Sequence, residues 1–275
     1  MRDMQGERFI MYIGCNWSKA LEILIERDAV KVDYIKAGAY GAFDEEFAKM
    51  RSLRPILLHG LGNFECTGMN NIEIVDFDLA NKLIKDCSSP HYGLHLTLKN
   101  SDIYPGMTEE NIYEKMCENI QIFKNNISVP LLLENIPDTP EDRVVHDHYP
   151  YFKPEQINRL LVDNNVSFLL DITHAKITAQ YHGLDVYDYI AQLPLDQIVE
   201  IHVNGSGYDK DGYPADTHES MNDEDYKLLE WVLNNSNPDI VSLEYVGIKT
   251  EDDETIIRSL KKQLNQLQTI CTQIR

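Results

Sequence analysis

The sequence has no long apolar run and few cysteines. None of its apolar stretches approaches the roughly 20 residues that a membrane-spanning helix needs. The N-terminus, MRDMQGERFIMYIG, carries charges before a short apolar run, which is typical of a first strand rather than of a signal peptide. The five cysteines are odd in number and never in a CxxC spacing, which indicates reduced thiols and argues against a thiolate zinc site. We therefore expect a cytoplasmic protein with no membrane attachment.

Basic residues are also scarce. The chain has 25 lysines and arginines against 45 aspartates and glutamates, and its formal net charge is −20. Such a surface repels phosphate backbones, so nucleic acid is disfavoured as the main partner. Two or three bound divalent cations would add roughly four to six positive charges and could offset this repulsion locally.

Several common motifs are missing. No Gly-x-Gly-x-x-Gly loop, P-loop or Gly-x-Ser-x-Gly nucleophile elbow occurs, which argues against the usual nucleotide-binding and acyl-transfer sites. The sequence also lacks an obvious repeat and a Pro-, Gly- or Ser-rich linker. A chain of 275 residues without such a division is expected to form one domain, residues 1–275.

Short strand-like runs alternate eight times with segments of helical periodicity. The predicted strands are 8–14, 32–38, 55–61, 92–98, 129–136, 167–173, 198–205 and 239–247. The predicted helices are 17–28, 43–51, 76–87, 108–124, 154–164, 184–192, 223–235 and 253–273. This alternation is typical of βα units around a parallel sheet. It predicts an α/β protein with a single (β/α)8 TIM barrel, and an open, doubly wound sheet is the alternative.

Residues 198–218, IVEIHVNGSGYDKDGYPADTH, read as one strand followed by a long loop. Alternation places His202 and Asn204 on a polar face that looks into the barrel, whereas the apolar residues face the helices. The loop adds Asp216 and His218. Three groups that can ligate a divalent metal therefore arrive within one strand-loop unit.

Other predicted strands end in polar side chains as well. In chain order these ends carry His59, His95, Glu134 with Asn135, Asp171 with His174, and Glu244. In a TIM barrel the carboxyl ends of the strands meet at one mouth, so these side chains should converge there. The complete set of candidate metal ligands is His59, His95, Glu134, Asp171, His174, His202, Asp216, His218 and Glu244.

A cluster with four carboxylates needs positive charge. The carboxylates would repel one another, and each would cost several kcal/mol to bury alone. Two or three divalent cations remove this cost, with Glu134 or Glu244 able to bridge neighbouring ions. Nitrogen and oxygen ligands suit iron, manganese or zinc without choosing among them. Asn135 is expected to ligate a metal or support the ligands, and Asn204 to support them. The residues expected to act in catalysis are His59, His95, Glu134, His202 and Glu244.

Four histidines and one cysteine need separate interpretation. His146 and His148 form a metal-like pair in VVHDHYP, but the segment reads as an exposed loop, so a separate metal site is the less favoured hypothesis. His182 is a candidate for the rim of the mouth. His91 precedes a strand at the opposite rim and is expected at the surface. Cys66 follows a site-bearing strand and is interpreted mainly as a packing residue.

The order of the motifs HG, GLHL, ENI, DITH, EIHVNGSG, DTH and LEY resembles the multinuclear non-haem iron-dependent oxidative enzymes, the family that contains the methanobactin-biosynthesis oxidase. The resemblance runs from about residue 30 to residue 247 and is most specific at 183–202 and 216–218. It implies a barrel with two or three iron ions that activates dioxygen to modify a peptide, often at a cysteine of a ribosomally made precursor. It also implies a partner protein that presents the peptide. Many members of that family carry Asn where this chain has His174. This difference bears on how many metal ions bind and on which metal they are.

Two other enzyme classes share the expected scaffold. The nine candidate ligands are also similar to those of endonuclease IV, a three-zinc barrel that cleaves DNA at abasic sites, and the xylose-isomerase-like barrels have the same architecture. A zinc- or manganese-dependent phosphodiesterase and a sugar isomerase are therefore alternatives, as is a metal store or sensor without turnover. The segment 205–222 offers only Lys210 against four acidic residues, which disfavours a nuclease. Its glycines fit either a mobile lid or a rigid loop.

Overall fold

The computed structural model describes residues 11–38, 43–60, 68–69, 72–145, 147–245, 247 and 250–274. The barrel strands are β1 (Tyr12–Asn16), β2 (Tyr34–Gly38), β3 (Ile56–His59), β4 (Tyr92–His95), β5 (Leu131–Glu134), β6 (Ser167–Asp171), β7 (Ile198–Val203) and β10 (Ile240–Leu243). Two further strands, β8 (Gly205–Tyr208) and β9 (Pro214–Glu219), pair as an antiparallel hairpin. Residues 8–10 of the first predicted strand lie outside the described residues, as do Cys66 and His146.

The eight barrel strands are all parallel and follow the order β1, β10, β7, β6, β5, β4, β3, β2. β1 pairs with β10 on one side and with β2 on the other, which closes the sheet. The alternative of an open, doubly wound sheet is therefore wrong, and the predicted TIM barrel is confirmed.

Helices surround the barrel and connect its strands. They are α1 (Lys19–Glu26), α2 (Phe43–Leu53), α3 (Phe77–Cys87), α4 (Glu109–Asn126), α5 (Pro140–Val145), α6 (Pro154–Asn164), α7 (Ile172–His182), α8 (Val186–Ile190), α9 (Asp223–Asn235) and α10 (Asp253–Gln273). In the described part of the chain, none of the helices has the length and apolarity needed to cross a membrane.

Apolar residues on the outer face of the strands pack beneath these helices. Leu94, Leu133 and Leu170 have no exposed surface, and neither have Phe123 of α4 and Leu260 of α10. Burial of one such side chain contributes about 1.5–3 kcal/mol. This layer holds the strands in register, so that polar side chains on their inner face keep fixed positions.

Strand β6 ends earlier than the sequence predicted. It stops at Asp171, and α7, which was not predicted, begins at the next residue. The Asp171 carboxylate caps this helix by accepting a hydrogen bond from the His174 backbone N–H at 2.7 Å. His174 therefore lies in the first turn of a helix rather than on a strand. The predicted helix 184–192 is reduced to α8.

The segment after β7, predicted as a long loop, contains the hairpin β8–β9. A Cβ atom on Gly207 would lie 2.8 Å from Thr217 Oγ1, so glycine permits the two strands to approach closely. At the turn, Asp209 accepts hydrogen bonds from the backbone N–H groups of Asp211 and Tyr213 at 2.9 and 2.8 Å. Main-chain pairing thus gives this segment a defined form.

Candidate metal centre

Glu134 lies at the centre of the barrel mouth and is 1% exposed. Strand register places it directly beside His95 on β4. His59 Nε2 lies 2.5 Å and His95 Nε2 3.3 Å from Glu134 Oε2. His202 Nδ1 lies 2.9 Å from the other oxygen, Oε1. Three imidazoles from three strands therefore surround one buried carboxylate.

Among the described residues, His59, His95 and Glu134 form the first of two ligand groups, meaning groups of side chains that could hold a metal ion. The second group contains Glu134, Asp171, His202 and Glu244, whose ligand atoms lie within 4.8 Å of one another. Glu134 belongs to both groups and can bridge two ions.

A third set of candidate ligands comes from α7 and the hairpin. Asp216 Oδ2 lies 3.2 Å from His174 Nε2 and 3.3 Å from His218 Nε2. His218 has a backbone φ of 50°, a left-handed conformation that a non-glycine residue adopts only when its surroundings hold it there. The His218 ring also faces Glu244, whose Oε2 is 3.4 Å from His218 Nε2.

The chemistry of these residues fits divalent cations. Asp171 Oδ2 is buried and makes no hydrogen bond, although it belongs to the second ligand group. A buried oxygen without a donor is costly unless a cation compensates it. Among the described residues, the ligand groups contain no cysteine, so the donors are imidazole nitrogens and carboxylate oxygens, as iron, zinc and manganese accept.

The two asparagines form hydrogen bonds with candidate ligands. Asn135 Oδ1 accepts from the Asp171 backbone N–H, and Asn135 Nδ2 donates to the Asp171 carbonyl, both at 2.9 Å. The Asn135 carbonyl accepts from His174 Nδ1 at 2.8 Å. Asn204 Nδ2 donates to Asp216 Oδ1 at 2.6 Å. All eleven residues singled out in the sequence thus lie in one connected network, with Asn135 supporting ligands through its amide.

Sequence reasoning missed Lys36, which lies on β2 and is 8% exposed. Its ammonium group forms an ion pair with Glu244 Oε1. Burial lowers the pKa of Lys36, while the neighbouring carboxylates, Glu134 first among them, oppose that shift. The sequence did contain a sign of its role, because Lys36 lies in the otherwise apolar strand YIKAG. A charged residue in a buried strand needs a partner of opposite charge.

The interpretation of His91 as a surface residue was wrong. His91 is 3% exposed, and its Nε2 donates to Glu200 Oε2 at 2.6 Å. Glu200 faces the barrel interior from β7, on the same side of the strand as His202. The two meet because β4 and β7, although far apart in the chain, bring their inner faces to the same depth of the closed barrel.

Burial and close charges shift the pKa values of the cluster in opposite directions. Burial raises the pKa of Asp171 to about 6. Burial acts to raise the pKa of Glu134 too, but His202, His59 and His95 together hold it well below its usual range. Burial lowers the pKa values of both His59 and His95. The site thus keeps Glu134 ionised and favours neutral imidazoles at two positions, which is the protonation state that metal ligation needs.

Two of the remaining histidines have structural contacts. His182 Nε2 donates to Asp138 Oδ2 at 2.6 Å, and its ring stacks on Phe152 with centroids 4.2 Å apart. His148 is half-buried and joins an antiparallel bridge with Lys99. Neither belongs to the ligand groups formed by the described residues.

Comparisons with known proteins show what this chain is similar to. The model of the family "RiPP precursor modification enzyme MbnB/TglH/ChrH" matches residues 20–270. A UPF0276 protein of Bordetella pertussis is 28% identical over 152 residues, which cover 54% of this chain and 51% of that protein. One from Paraburkholderia phytofirmans is 27% identical over 183 residues, which cover 63% and 57%. The chain thus spans little more than half the length of these relatives.

Solved structures share the fold at low sequence identity. The IOLI protein, described with a binding zinc atom, has a TM-score of 0.64 at 15% identity, covering 96% of this chain and 99% of that one. A putative xylose isomerase from Rhodospirillum rubrum has a TM-score of 0.61 at 14% identity, covering 94% and 99%. The barrel is therefore xylose-isomerase-like. Since the family model covers most of the sequence, the motif resemblance is confirmed, and the chain belongs to the family of RiPP precursor modification enzymes MbnB/TglH/ChrH.

Proposed function

We propose that this protein is a multinuclear metal-dependent oxidase, with iron as the metal, that modifies a ribosomally made precursor peptide at a cysteine. The single observation that carries the proposal is the buried cluster around Glu134, in which three imidazoles surround one carboxylate and Asp171 Oδ2 makes no hydrogen bond. Family membership supports a peptide substrate.

Three sets of residues would hold the ions. The first is His59, His95 and Glu134, and the second is Glu134, Asp171, His202 and Glu244. The third is His174, Asp216 and His218. Bound iron would supply the redox chemistry and a site for dioxygen, which amino acid side chains lack.

The protein's own residues prepare the mouth for this chemistry. Glu134, Asp171 and His202 are each no more than 1% exposed, so water reaches them poorly. Lys36 places a buried ammonium group against Glu244 and offsets part of the negative charge of the carboxylates. His95 and His218 are more accessible, with side chains 24% and 41% exposed, and lie where a peptide would enter.

The proposal includes a partner protein that presents the peptide. The hairpin that carries Asp216 and His218 also carries Tyr208 and Tyr213 near its turn, 72% and 41% exposed. Tyrosines are enriched in protein interfaces because they combine a large apolar ring with a polar tip. These tyrosines support binding of a peptide or its carrier next to the metal ligands.

The test uses protein loaded anaerobically with ferrous iron and a panel of cysteine-containing peptides. We expect oxygen uptake coupled to a change in peptide mass, and no change when serine replaces the cysteine. Glu134→Gln should abolish both signals. Glu22→Gln is the matched control, because Glu22 is also buried but lies on α1, paired with Lys19 and Lys49.

A different outcome would indicate another chemistry. Turnover that proceeds unchanged without oxygen, and is restored by zinc or manganese alone, would overturn the oxidase in favour of hydrolysis of a phosphodiester by a metal-activated water. Conversion of a sugar without oxygen would indicate an isomerase. Metal binding that changes affinity for a partner protein without any turnover would indicate a sensor.

A further inference from the structure

A second polar layer lies inside the barrel beneath the candidate ligands. It consists of Glu200 on β7, His91 beside β4 and Ser242 on β10, which are 1%, 3% and 0% exposed. Glu200 precedes His202 by two residues on the same strand, so both side chains face the barrel interior, and Glu200 lies one layer nearer the amino ends of the strands.

Protein donors engage both oxygens of Glu200. Oε2 accepts from His91 Nε2 at 2.6 Å. Oε1 accepts from Ser242 Oγ at 2.6 Å and from His202 Nε2 at 3.2 Å. A Cβ atom on Gly14 would lie only 2.2 Å from Ser242 Oγ, so the glycine on β1 leaves the room that Ser242 occupies. Glu200 is thus held by its own neighbours and is not placed as a metal ligand.

Each nitrogen of His202 faces a carboxylate, and the two carboxylates differ in that Glu134 is a candidate metal ligand whereas Glu200 is held by protein donors. An ionised carboxylate only accepts hydrogen bonds, so His202 Nε2 carries a proton. The other nitrogen, Nδ1, lies 2.9 Å from Glu134 Oε1 and 3.5 Å from Glu244 Oε1, inside the second ligand group. A ligating nitrogen has to be unprotonated. Nδ1 is therefore the nitrogen that can give up its proton to a metal.

We propose that Glu200 is a positioning residue that keeps His202 Nε2 protonated and so makes Nδ1 the metal-ligating atom. His91 and Ser242 fix the Glu200 carboxylate in the orientation that this requires. The inference rests on the metal centre of the proposed function, but it does not depend on the metal being iron or on the reaction being an oxidation. Carboxylates that hold ligating imidazoles in this way fix the ring and raise its basicity.

Nuclear magnetic resonance of the zinc-loaded wild-type protein labelled with 15N-histidine tests the assignment directly. Zinc is the probe because it is diamagnetic and redox-silent. The His202 ring is assigned through its own side chain and backbone. We expect a coordinated Nδ1 and a protonated Nε2. Coordination through Nε2 would overturn the inference and leave the proposed function standing. Failure of the wild-type protein to bind zinc would overturn the metal centre and this inference together.

Zinc affinity, measured by competition with a chromophoric chelator, tests the role of Glu200. Glu200→Gln keeps the shape of the side chain and removes its charge, and should weaken zinc binding by about 10- to 100-fold. Glu22→Gln, the buried-glutamate control on α1, should bind zinc as the wild type does. Unchanged affinity in Glu200→Gln would overturn the role of Glu200. If this variant fails to fold, the wild-type spectrum still decides which nitrogen binds the metal.

Discussion

Asn204 Nδ2 donates a hydrogen bond to Asp216 Oδ1 over 2.6 Å and thereby ties the hairpin to the end of β7. Asn204 is itself fixed, because Thr173 Oγ1 donates to its carbonyl at 2.9 Å and accepts from its N–H at 3.2 Å. This series of hydrogen bonds, from α7 through Asn204 to Asp216, therefore fixes the position of the hairpin relative to the barrel mouth. It also sets the position of the third set of candidate ligands.

Asn204→Ala should remove one bound metal ion. Without the amide, Asp216 loses the hydrogen bond that holds it beside His174 and His218, while the two ligand groups around Glu134 remain. The number of zinc ions retained after dialysis, measured by elemental analysis, should fall by one. Asn234→Ala is the matched control, because Asn234 Nδ2 donates to the Glu230 carbonyl on the exposed face of α9, away from the candidate ligands. An unchanged zinc content in Asn204→Ala would contradict this prediction.

Lys36→Met should destabilise the metal-free protein much more than the metal-loaded protein. Removal of one partner from a buried ion pair typically costs about 3–5 kcal/mol, because the remaining charge, here Glu244, is left uncompensated. A metal ion on Glu244 supplies the missing charge. Urea unfolding with and without zinc measures the difference.

The control for this prediction is Lys49→Met. Lys49 pairs with the buried Glu22 on α1, but its own side chain is 45% exposed. Its removal should cost less free energy of unfolding, and zinc should not restore any of it. Equal losses for Lys36→Met with and without zinc would show that Glu244 does not bind the metal.

Gly93→Ala should disturb His59. A Cβ atom at Gly93 would lie 2.7 Å from His59 Cδ2 and 3.3 Å from Leu169 Cδ1, so the imidazole has to shift from its position beside Glu134. We expect a loss of about 1–3 kcal/mol in stability, as in other overpacked cores, together with weaker zinc binding.

Gly106→Ala is the control that separates the loss of stability expected for Gly93→Ala from its weaker zinc binding. Gly106 has a φ of 92° and open space around it, so alanine there strains only the backbone, at a cost of about 1 kcal/mol. Thermal melting should show this loss, and the zinc affinity should stay at the wild-type value. A Gly93→Ala protein that binds zinc as tightly as the wild type would contradict the predicted displacement of His59.

The metal-free protein should lose stability as the pH rises from about 6.5 to 10. Burial alone would lower the pKa of His174, but Asp171 and Asp216 outweigh it and raise the pKa to about 10. Because this pKa lies above the ordinary value of about 6.5, the imidazolium contributes stability below pH 6.5 that disappears as the pH passes through 10. The free energy of unfolding, measured against pH, should therefore fall by a few kcal/mol.

His174→Asn should flatten this pH dependence, because asparagine does not titrate. Metal-loaded protein should behave differently, since ligation requires neutral His174 and releases its proton. Zinc binding should accordingly weaken as the pH falls below 10. Retention of the wild-type slope in His174→Asn would show that another group carries the pH dependence.

The barrel and its candidate ligands were largely predictable, and the reason is local. Eight short segments alternate between apolar and polar residues as strands do, and segments of helical periodicity lie between them. A parallel barrel follows from that repetition. Glu134, Asp171 and His202 could be singled out because polar residues at the carboxyl ends of buried strands meet at one mouth. The structure then placed His95 beside Glu134 and Asp171 beside His202 in neighbouring strands.

The predictions were wrong where a helix cap, or a contact with a distant part of the chain, determined the structure instead of the local sequence pattern. The chain after β6 continued to look like a strand, yet Asp171 caps α7 and moves His174 onto a helix. His91 looked like a surface residue because it precedes its strand, yet it lies buried against Glu200.

By itself the sequence determined the barrel class and the side chains that line its mouth, because alternation and strand ends are properties of short segments. Only the tertiary structure decided that Lys36 pairs with Glu244, that His91 binds Glu200, and that the hairpin brings Asp216 to His174. These pairings join distant parts of the chain. They depend on the register and closure of the barrel, which set the depth at which each inward side chain lies.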